Sequence, residues 1–210
     1  MPGSRRAHCS AWRKAIPWTM VGARAALGPL LAIVARFAHP QPLLGAMVLA
    51  GFLSDVCDGI LARRWGVESE GLRVADSAVD TVFYLGVLTA IIERHPQALW
   101  ERSWLLAALL GLEVTRMLFD WRKYRRMASY HSYAAKAWGI VLAAAAIAGL
   151  GFDGGFWLLT LALAWGILCD LEGLAMSMLL PEWTCDVKTL RRATMLRSQM
   201  KRGAFLDESR

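Results

Sequence analysis

The chain is poor in cysteine, and the few it has are scattered. Cys9, Cys57, Cys169 and Cys185 form no C-x-x-C pair, which leaves no zinc-finger or dithiol redox site to build. Cys57 and Cys169 sit inside apolar segments as small side chains, and nothing requires an oxidising compartment. No serine or cysteine triad suggests itself. The apolar runs lack the period-two alternation of a β-barrel. Internal repeats are missing, and the one biased stretch, Ala143–Ala146, has the small side chains that suit close helix packing. Alternate loops are nearly bare of positive charge, an absence that becomes informative once the segments are laid out.

What the 210 residues do contain is apolar surface: 56% are hydrophobic and ten are tryptophan, and the mean hydropathy is +0.37. Soluble domains hold about 45–50% apolar residues even with glycine counted, and tryptophan favours the membrane–water interface. The composition describes a polytopic membrane protein. The net charge of +7 falls in clusters between apolar runs, which suits an anionic lipid bilayer and topology control, with no nucleic-acid partner expected.

Six apolar segments follow one another, at about Trp18–Phe37, Pro42–Arg64, Leu72–Ile92, Ser103–Trp121, Ala134–Gly151 and Gly155–Leu180. Each is near the ~20 residues a helix needs to cross the hydrocarbon core. Pro40, Pro42, Gly66, Pro96, Gly151, Gly154 and Pro181 punctuate the loops. The first run, from about Ile16, is longer than the ~7–15 residues of a signal-peptide core and contains Arg24, so it reads as a retained transmembrane helix. Residues 1–15 carry Arg5, Arg6, Arg13 and Lys14 with Trp12 and are expected to form a short N-terminal interfacial helix; a disordered basic tail reads nearly as well. The expected division is a basic segment 1–15, a six-helix domain 16–181 and a basic cytoplasmic tail 182–210, which either lies along the anionic leaflet or is solvated. The fold class is therefore all-α, with six transmembrane helices.

Charge fixes the orientation. The N-terminus, the loop with Arg63, Arg64 and Arg73, the loop with Arg122, Lys123, Arg125 and Arg126, and the C-terminal tail are basic, whereas the opposite loops hold only Arg36, Arg94 and Arg102. The positive-inside rule then gives N-in/C-in topology.

Against this apolar background stand four carboxylates. Asp55, Asp58, Gly59 and Ala62 fall at i, i+3, i+4 and i+7, and Asp76 and Asp80 at i and i+4, so each set makes one stripe on a helix. A short loop makes the two helices antiparallel neighbours with both stripes near its cytoplasmic mouth. A charged aspartate at a helix centre costs about 2.5–3.5 kcal/mol on insertion scales, and four together repel. Lone arginines would neutralise one or two; divalent cations would neutralise all four and suit oxygen ligands. Such metals imply a substrate able to share them, usually a phosphate.

The spacing Asp55-x2-Asp58-Gly59-x2-Ala62-Arg63-x8-Leu72-x3-Asp76-x3-Asp80 resembles the CDP-alcohol phosphotransferase signature D-x2-D-G-x2-A-R-x8-G-x3-D-x3-D. Seven of its eight fixed positions match. Ile16-Pro17, Arg24 and Pro29 follow the family's common opening, and Lys136 at the head of segment five also fits. The departure is Leu72, where the family usually has glycine; Gly71 is one residue early. Leu72 would narrow the nucleotide pocket, or a shifted helix start would let Gly71 take its place.

The resemblance implies a metal-dependent transferase that moves a substituted phosphoryl group from a CDP-linked donor to an alcohol and releases CMP. It implies that Asp55, Asp58, Asp76 and Asp80 hold two divalent cations, Mg2+ or Mn2+, with Asp80 also the catalytic base. Gly59 and Ala62 would line the cytidine site, and Arg63 would approach the donor's phosphates. The compact chain points to CDP-diacylglycerol as donor and a small polar alcohol as acceptor, in phospholipid biosynthesis at the cell (inner) membrane, with the active site facing the cytoplasm. Homodimers are usual in the family. Arg116 and Lys136, with the basic loop Arg122–Arg126, are candidates to receive a phosphate-bearing acceptor, although an internal Glu113–Arg116 ion pair and a topology signal explain the first and the last as well. Asp170 and Glu172 lie on different faces, and one is expected to pair with a cation such as Lys136 or Arg24. His131, near Tyr130 and Tyr133, suits an interfacial place. Two other readings remain: a cation pathway or transporter, since intramembrane carboxylates also serve ion routes, and an inactive family member acting as an assembly partner.

Overall fold

In the computed structural model, residues 5–37, 41–126, 133–184 and 187–207 are described, with side chains described within 12–200, and no strand occurs among them. Pro40, Tyr130, His131 and Cys185 lie outside the described residues. Five helical stretches are long and apolar enough to cross a membrane: Trp12–Phe37, Gln41–Trp65, Glu70–Arg94, Tyr133–Phe152 and Phe156–Leu179. Between 28% and 33% of the most apolar window of each is buried inside the protein, and large apolar side chains such as Leu30, Ile33, Leu85 and Leu168 are exposed. Those outward faces belong in lipid, so the chain is a multi-pass membrane protein. The helix Ser103–Tyr124 is long enough to span but holds Glu113, Arg116 and Asp120, and it is not among the five.

The chain divides into two units. The first runs to Leu99 and adds Ala143–Phe156. It contains α1 (Arg5–Phe37), α2 (Gln41–Trp65), α3 (Glu70–Arg94), most of the one-turn α4 (Pro96–Trp100) and the later part of α6 (Tyr133–Phe152). α1 packs along both α2 and α3, while α2 and α3 touch each other only sparingly. α1 thus joins the two carboxylate helices, which also meet directly as the short loop suggests, where the Phe83 ring reaches Gly51 and Leu72 packs with Ala62. Glycines make this possible. A methyl group on Gly28 of α1 would stand 2.8 Å from Phe83 Cα of α3, and the Phe83 ring covers Gly51 of α2. On the other side of α2, Gly45 meets Gly151 of α6 backbone to backbone.

The sequence places the start of the first span at about Trp18, after a separate interfacial segment. Instead α1 is one helix from Arg5, with Pro17 inside it and fully buried. The missing proline N–H costs a helix bond. Packing carries the helix through: Trp12 stands edge-on to Trp65 at 5.4 Å between ring centres, which ties the early turns of α1 to the end of α2.

The α2–α3 turn is fixed at both ends. Gly66 has φ +62°, the left-handed conformation that glycine tolerates best. Gly66 N–H donates to Arg63 O at 3.2 Å and Val67 N–H to Ala62 O at 3.0 Å, the bonding of a Schellman cap. Ser69 then caps α3, its hydroxyl accepting from Leu72 N–H at 3.1 Å. The turn sets the register between Asp55–Asp58 and Asp76–Asp80.

The second unit comprises Trp100–Leu142 and Trp157–Arg210, with α5 (Ser103–Tyr124), the first part of α6, α7 (Phe156–Leu179) and α8 (Leu190–Asp207). Two indoles bond α6 to α7 in opposite directions: Trp138 Nε1 donates to Ala162 O at 2.8 Å and Trp165 Nε1 to Ala134 O at 3.2 Å. The basic tail is neither wholly solvated nor shapeless. It forms α8, whose Ala193 is buried with Met176, Leu180 and Val187, and Leu196 packs on them.

Candidate metal centre

The site is built on α1, α2 and α3 of the first unit. Arg24 comes from the middle of α1 and is 1% exposed, yet its guanidinium meets all four aspartates. Nη1 lies 2.9 Å from Asp58 Oδ2 and 3.4 Å from Asp55 Oδ1. Nη2 donates to Asp76 Oδ1, and Nε lies 2.9 Å from Asp80 Oδ1. The planar fork suits this arrangement, because it presents five N–H donors in fixed directions. One arginine reaches all four acids, although its single charge neutralises only one of them. It also answers where Arg24 pairs, which is not with Asp170 or Glu172.

The acids differ in exposure. Asp58 is buried at 5%, whereas the Asp55, Asp76 and Asp80 side chains keep 40%, 33% and 33% of their surface. These three each offer an oxygen within 4.8 Å of the others. Four carboxylates against one guanidinium leave an excess of three negative charges in a half-buried place. A donor set made only of carboxylate oxygens, with that excess, fits a hard divalent cation of the Mg2+, Mn2+ or Ca2+ type. Asp58 stands apart from the trio, directed at Arg24.

The neighbouring residues fall into two groups. Gly59 is partly exposed, and the Arg63 guanidinium folds back over it, its nitrogens 3.4–3.5 Å from where a Cβ would be. Ala62 and Leu72 are buried at 5% and 7%, clustered with Val21. Ala75, Val79 and Val67 pack on that cluster. Leu72 therefore fills space beside Ala62 and faces α1, while the exposed Gly71 stays outside.

Arg116 and Lys136 lie in the second unit. Lys136 is exposed. Arg116 is held by both Glu113 oxygens, at 2.7 and 2.9 Å, and by Asp170 Oδ1 at 3.2 Å. Gly173 lets its stem cross α7, since a methyl there would stand 3.1 Å from Arg116 Cδ. This cluster edges a cavity of about 360 Å3 walled by Leu109, Ala135, Trp138, Gly166 and Met176. The internal ion pair weighed for Glu113 and Arg116 is present, and the partner of Asp170 is Arg116, not Lys136 or Arg24.

The profile of the CDP-alcohol phosphatidyltransferase family matches residues 14–169, a stretch that includes Arg24 and all four aspartates. The chain belongs to this family. No curated protein and no solved structure matches it. The family is one of transferases of substituted phosphate groups that depend on divalent cations, and membership implies a CDP-linked donor and an alcohol acceptor.

Arg24 is the functional residue that sequence reasoning passed over. In the sequence it stands as a charge within the first span, as part of a common opening pattern and as a possible partner of Asp170 or Glu172, not as the partner of the four aspartates. The signal was available: an arginine inside an apolar helix needs a carboxylate partner, and the chain's nearest following intramembrane acids are Asp55 and Asp58.

Proposed function

We propose that the protein transfers a phosphatidyl group from CDP-diacylglycerol to a small polar alcohol, releasing CMP, as a step of phospholipid biosynthesis. The observation that supports this most is the gathering of Asp55, Asp76 and Asp80 around one point, with the family's spacing. Asp55, Asp58, Asp76 and Asp80 would hold two divalent cations, Mg2+ or Mn2+, which offset the pyrophosphate's charge and make the attacked phosphorus more electrophilic. Asp80 takes the proton of the acceptor hydroxyl as its oxygen bonds to phosphorus and the bond to the CMP oxygen breaks. Gly59, on the open side of α2, gives the cytidine a close approach to the helix. Arg63, folded beside it, pairs with the donor's phosphates. Ala62 and Leu72 bound that pocket from behind. Arg116 and Lys136 are assigned to the acceptor. Arg116 already serves two carboxylates, so it presents a structured cluster more than a free charge.

In this reading α5 is the sixth span, with Glu113, Arg116 and Asp170 compensating one another inside the membrane. Both termini lie in the cytoplasm, the site opens to that side of the cell's inner membrane, and the working form is a homodimer. The test is purified protein with CDP-diacylglycerol, Mg2+ or Mn2+, and a panel of serine, glycerol 3-phosphate, inositol, inositol 1-phosphate, choline and phosphatidylglycerol, read as CMP release. Metal-dependent release with one acceptor is expected. No release with any acceptor would sink the reading.

A further inference from the structure

Arg24 is buried, whereas three of the four acids it meets are only partly covered. The guanidinium is 1% exposed, while Asp55, Asp76 and Asp80 keep a third or more of their surface. Each aspartate gives Arg24 one oxygen. A carboxylate has two, and each accepts more than one contact. The buried side of the group is thus occupied by a cation that belongs to the protein, and the outer side retains acceptors.

We infer that Arg24 is a positioning residue: it holds the four carboxylates from behind so that their outer oxygens converge on the divalent cations. The inference rests on the metal-dependent reading above and adds a residue outside the ligand set. Three facts carry it. First, α1 packs along both α2 and α3, which touch each other far less, and the Arg24 side chain bridges the acid pair on α2 to the pair on α3. Second, unpaired like charges this close repel, more strongly in a half-buried place than in water; without an internal cation the acids would splay. Third, the fork addresses the acids with different nitrogens, Nη1 to α2 and Nη2 and Nε to α3. That fixes relative orientation as well as charge, which a point charge such as lysine does not.

The inference makes a counter-intuitive prediction of sign. By charge alone, a nearby guanidinium repels a divalent cation, and removing it should tighten metal binding. If Arg24 is a placeholder that the cations displace, the same tightening follows. If it positions the ligands, removing its fork weakens binding.

The experiment measures Mn2+ binding to the full-length protein in nanodiscs, by the electron paramagnetic resonance signal of free Mn2+, for the unmodified chain, Arg24→Lys and Arg24→Gln. Thermal unfolding is recorded alongside. Arg24→Gln leaves buried acids uncompensated and is expected to unfold early. Arg24→Lys keeps the charge and carries the test. In Arg24→Lys, Mn2+ affinity is expected to fall roughly tenfold with the unfolding midpoint nearly kept. The Mn2+ concentration for half-maximal CMP release should rise in step, with the maximal rate recovered at saturating Mn2+, a pattern that mere loss of folded protein does not produce. Unchanged or tighter Mn2+ binding in Arg24→Lys overturns the inference while the metal-dependent reading stands. Failure of the unmodified protein to bind Mn2+ overturns that reading, and the inference with it.

Discussion

Gly28 of α1 and Gly86 of α3 meet backbone to backbone, so that a methyl group on Gly86 would collide with the Gly28 carbonyl. Gly28 is one turn beyond Arg24 on the same face of α1, and Gly86 lies along α3 from Asp76, Asp80 and Phe83. The close approach of two bare backbones is what brings a buried arginine within reach of acids on another helix. Gly86→Ala is expected to lower stability by about 1–3 kcal/mol or more, because the obstacle is backbone and not a movable side chain. The thermal midpoint should fall, and Mn2+ binding should weaken because Arg24 no longer seats against Asp80. A Gly86→Ala protein with an unchanged midpoint would mean the helices do not approach this closely.

Leu72 shares a buried cluster with Ala62 and Val21 at the position where the family signature has glycine. Leu72→Gly should act in two directions. Losing a buried leucine side chain costs about 2–5 kcal/mol in comparable truncations, so the protein should melt earlier. Uncovering Ala62 should widen the nucleotide pocket and lower the KM for the CDP-linked donor. Steady-state kinetics with varied donor, beside a melting curve, separates the two effects. An unmoved KM would show that the pocket already admits the nucleotide with leucine in place.

Asp80→Asn keeps the shape of the side chain whose Oδ1 lies 2.9 Å from Arg24 Nε, and is assayed at saturating Mn2+ so that a weakened metal site does not limit the rate. The fold should persist. What is lost is proton acceptance, worth ~10²–10⁴ in rate for a positioned base. Turnover of CMP release should drop by that order with the donor KM little altered. Retained turnover would remove Asp80 from its role.

Lys123 secures the far end of α7. Its Nζ donates to Ser177 O at 2.6 Å and Leu180 O at 2.7 Å, and the Tyr124 hydroxyl lies 2.7 Å from the same two carbonyls. These are the helix-end acceptors that have no partner within the helix. Lys123→Met should cost about 1 kcal/mol, felt locally. Hydrogen exchange at residues 177–180 is expected to quicken, and α8 to loosen, since Leu180 also packs against Ala193. Exchange confined to its original rate would assign the capping to Tyr124 alone.

The carboxylate stripes were legible because helical periodicity needs only local spacing: Asp55 and Asp58, or Asp76 and Asp80, share a face whatever the rest of the chain does. Five of the six expected spans were legible for the same reason, with ends displaced by only one or two residues apart from the start of the first. What local pattern does not encode is which helix lies between which. That α1 packs against α3 depends on Gly28 and Gly86 meeting across helices, and that α3 reaches α2 depends on Phe83 covering Gly51; a glycine in sequence does not name its partner. The pairing of Arg116 with Asp170 was hidden likewise, because it spans two helices and depends on Gly173 making room. The continuation of α1 through Pro17 depends on Trp12 against Trp65, a contact 53 residues apart in sequence. The docking of α8 was obscured by its many charges, which outnumber the two small contacts, Ala193 and Leu196, that hold it.

The single guanidinium at the meeting point of three helices also bears on how the protein is made. Arg24 leaves the ribosome 34 residues before Asp58 and 52 before Asp76. Until they follow, an arginine within a spanning helix has no partner and carries an insertion cost of about 2.5–3.5 kcal/mol at a helix centre. The first helix should therefore linger at the insertion machinery until the second and third arrive, and the three should then enter lipid as a group. Crosslinking of truncated, ribosome-held chains would test this: chains halted before Asp55 should keep α1 beside the machinery, and chains extended past Asp80 should release it. The residue that sets the acids in place would then also time the first commitment of the chain to the membrane.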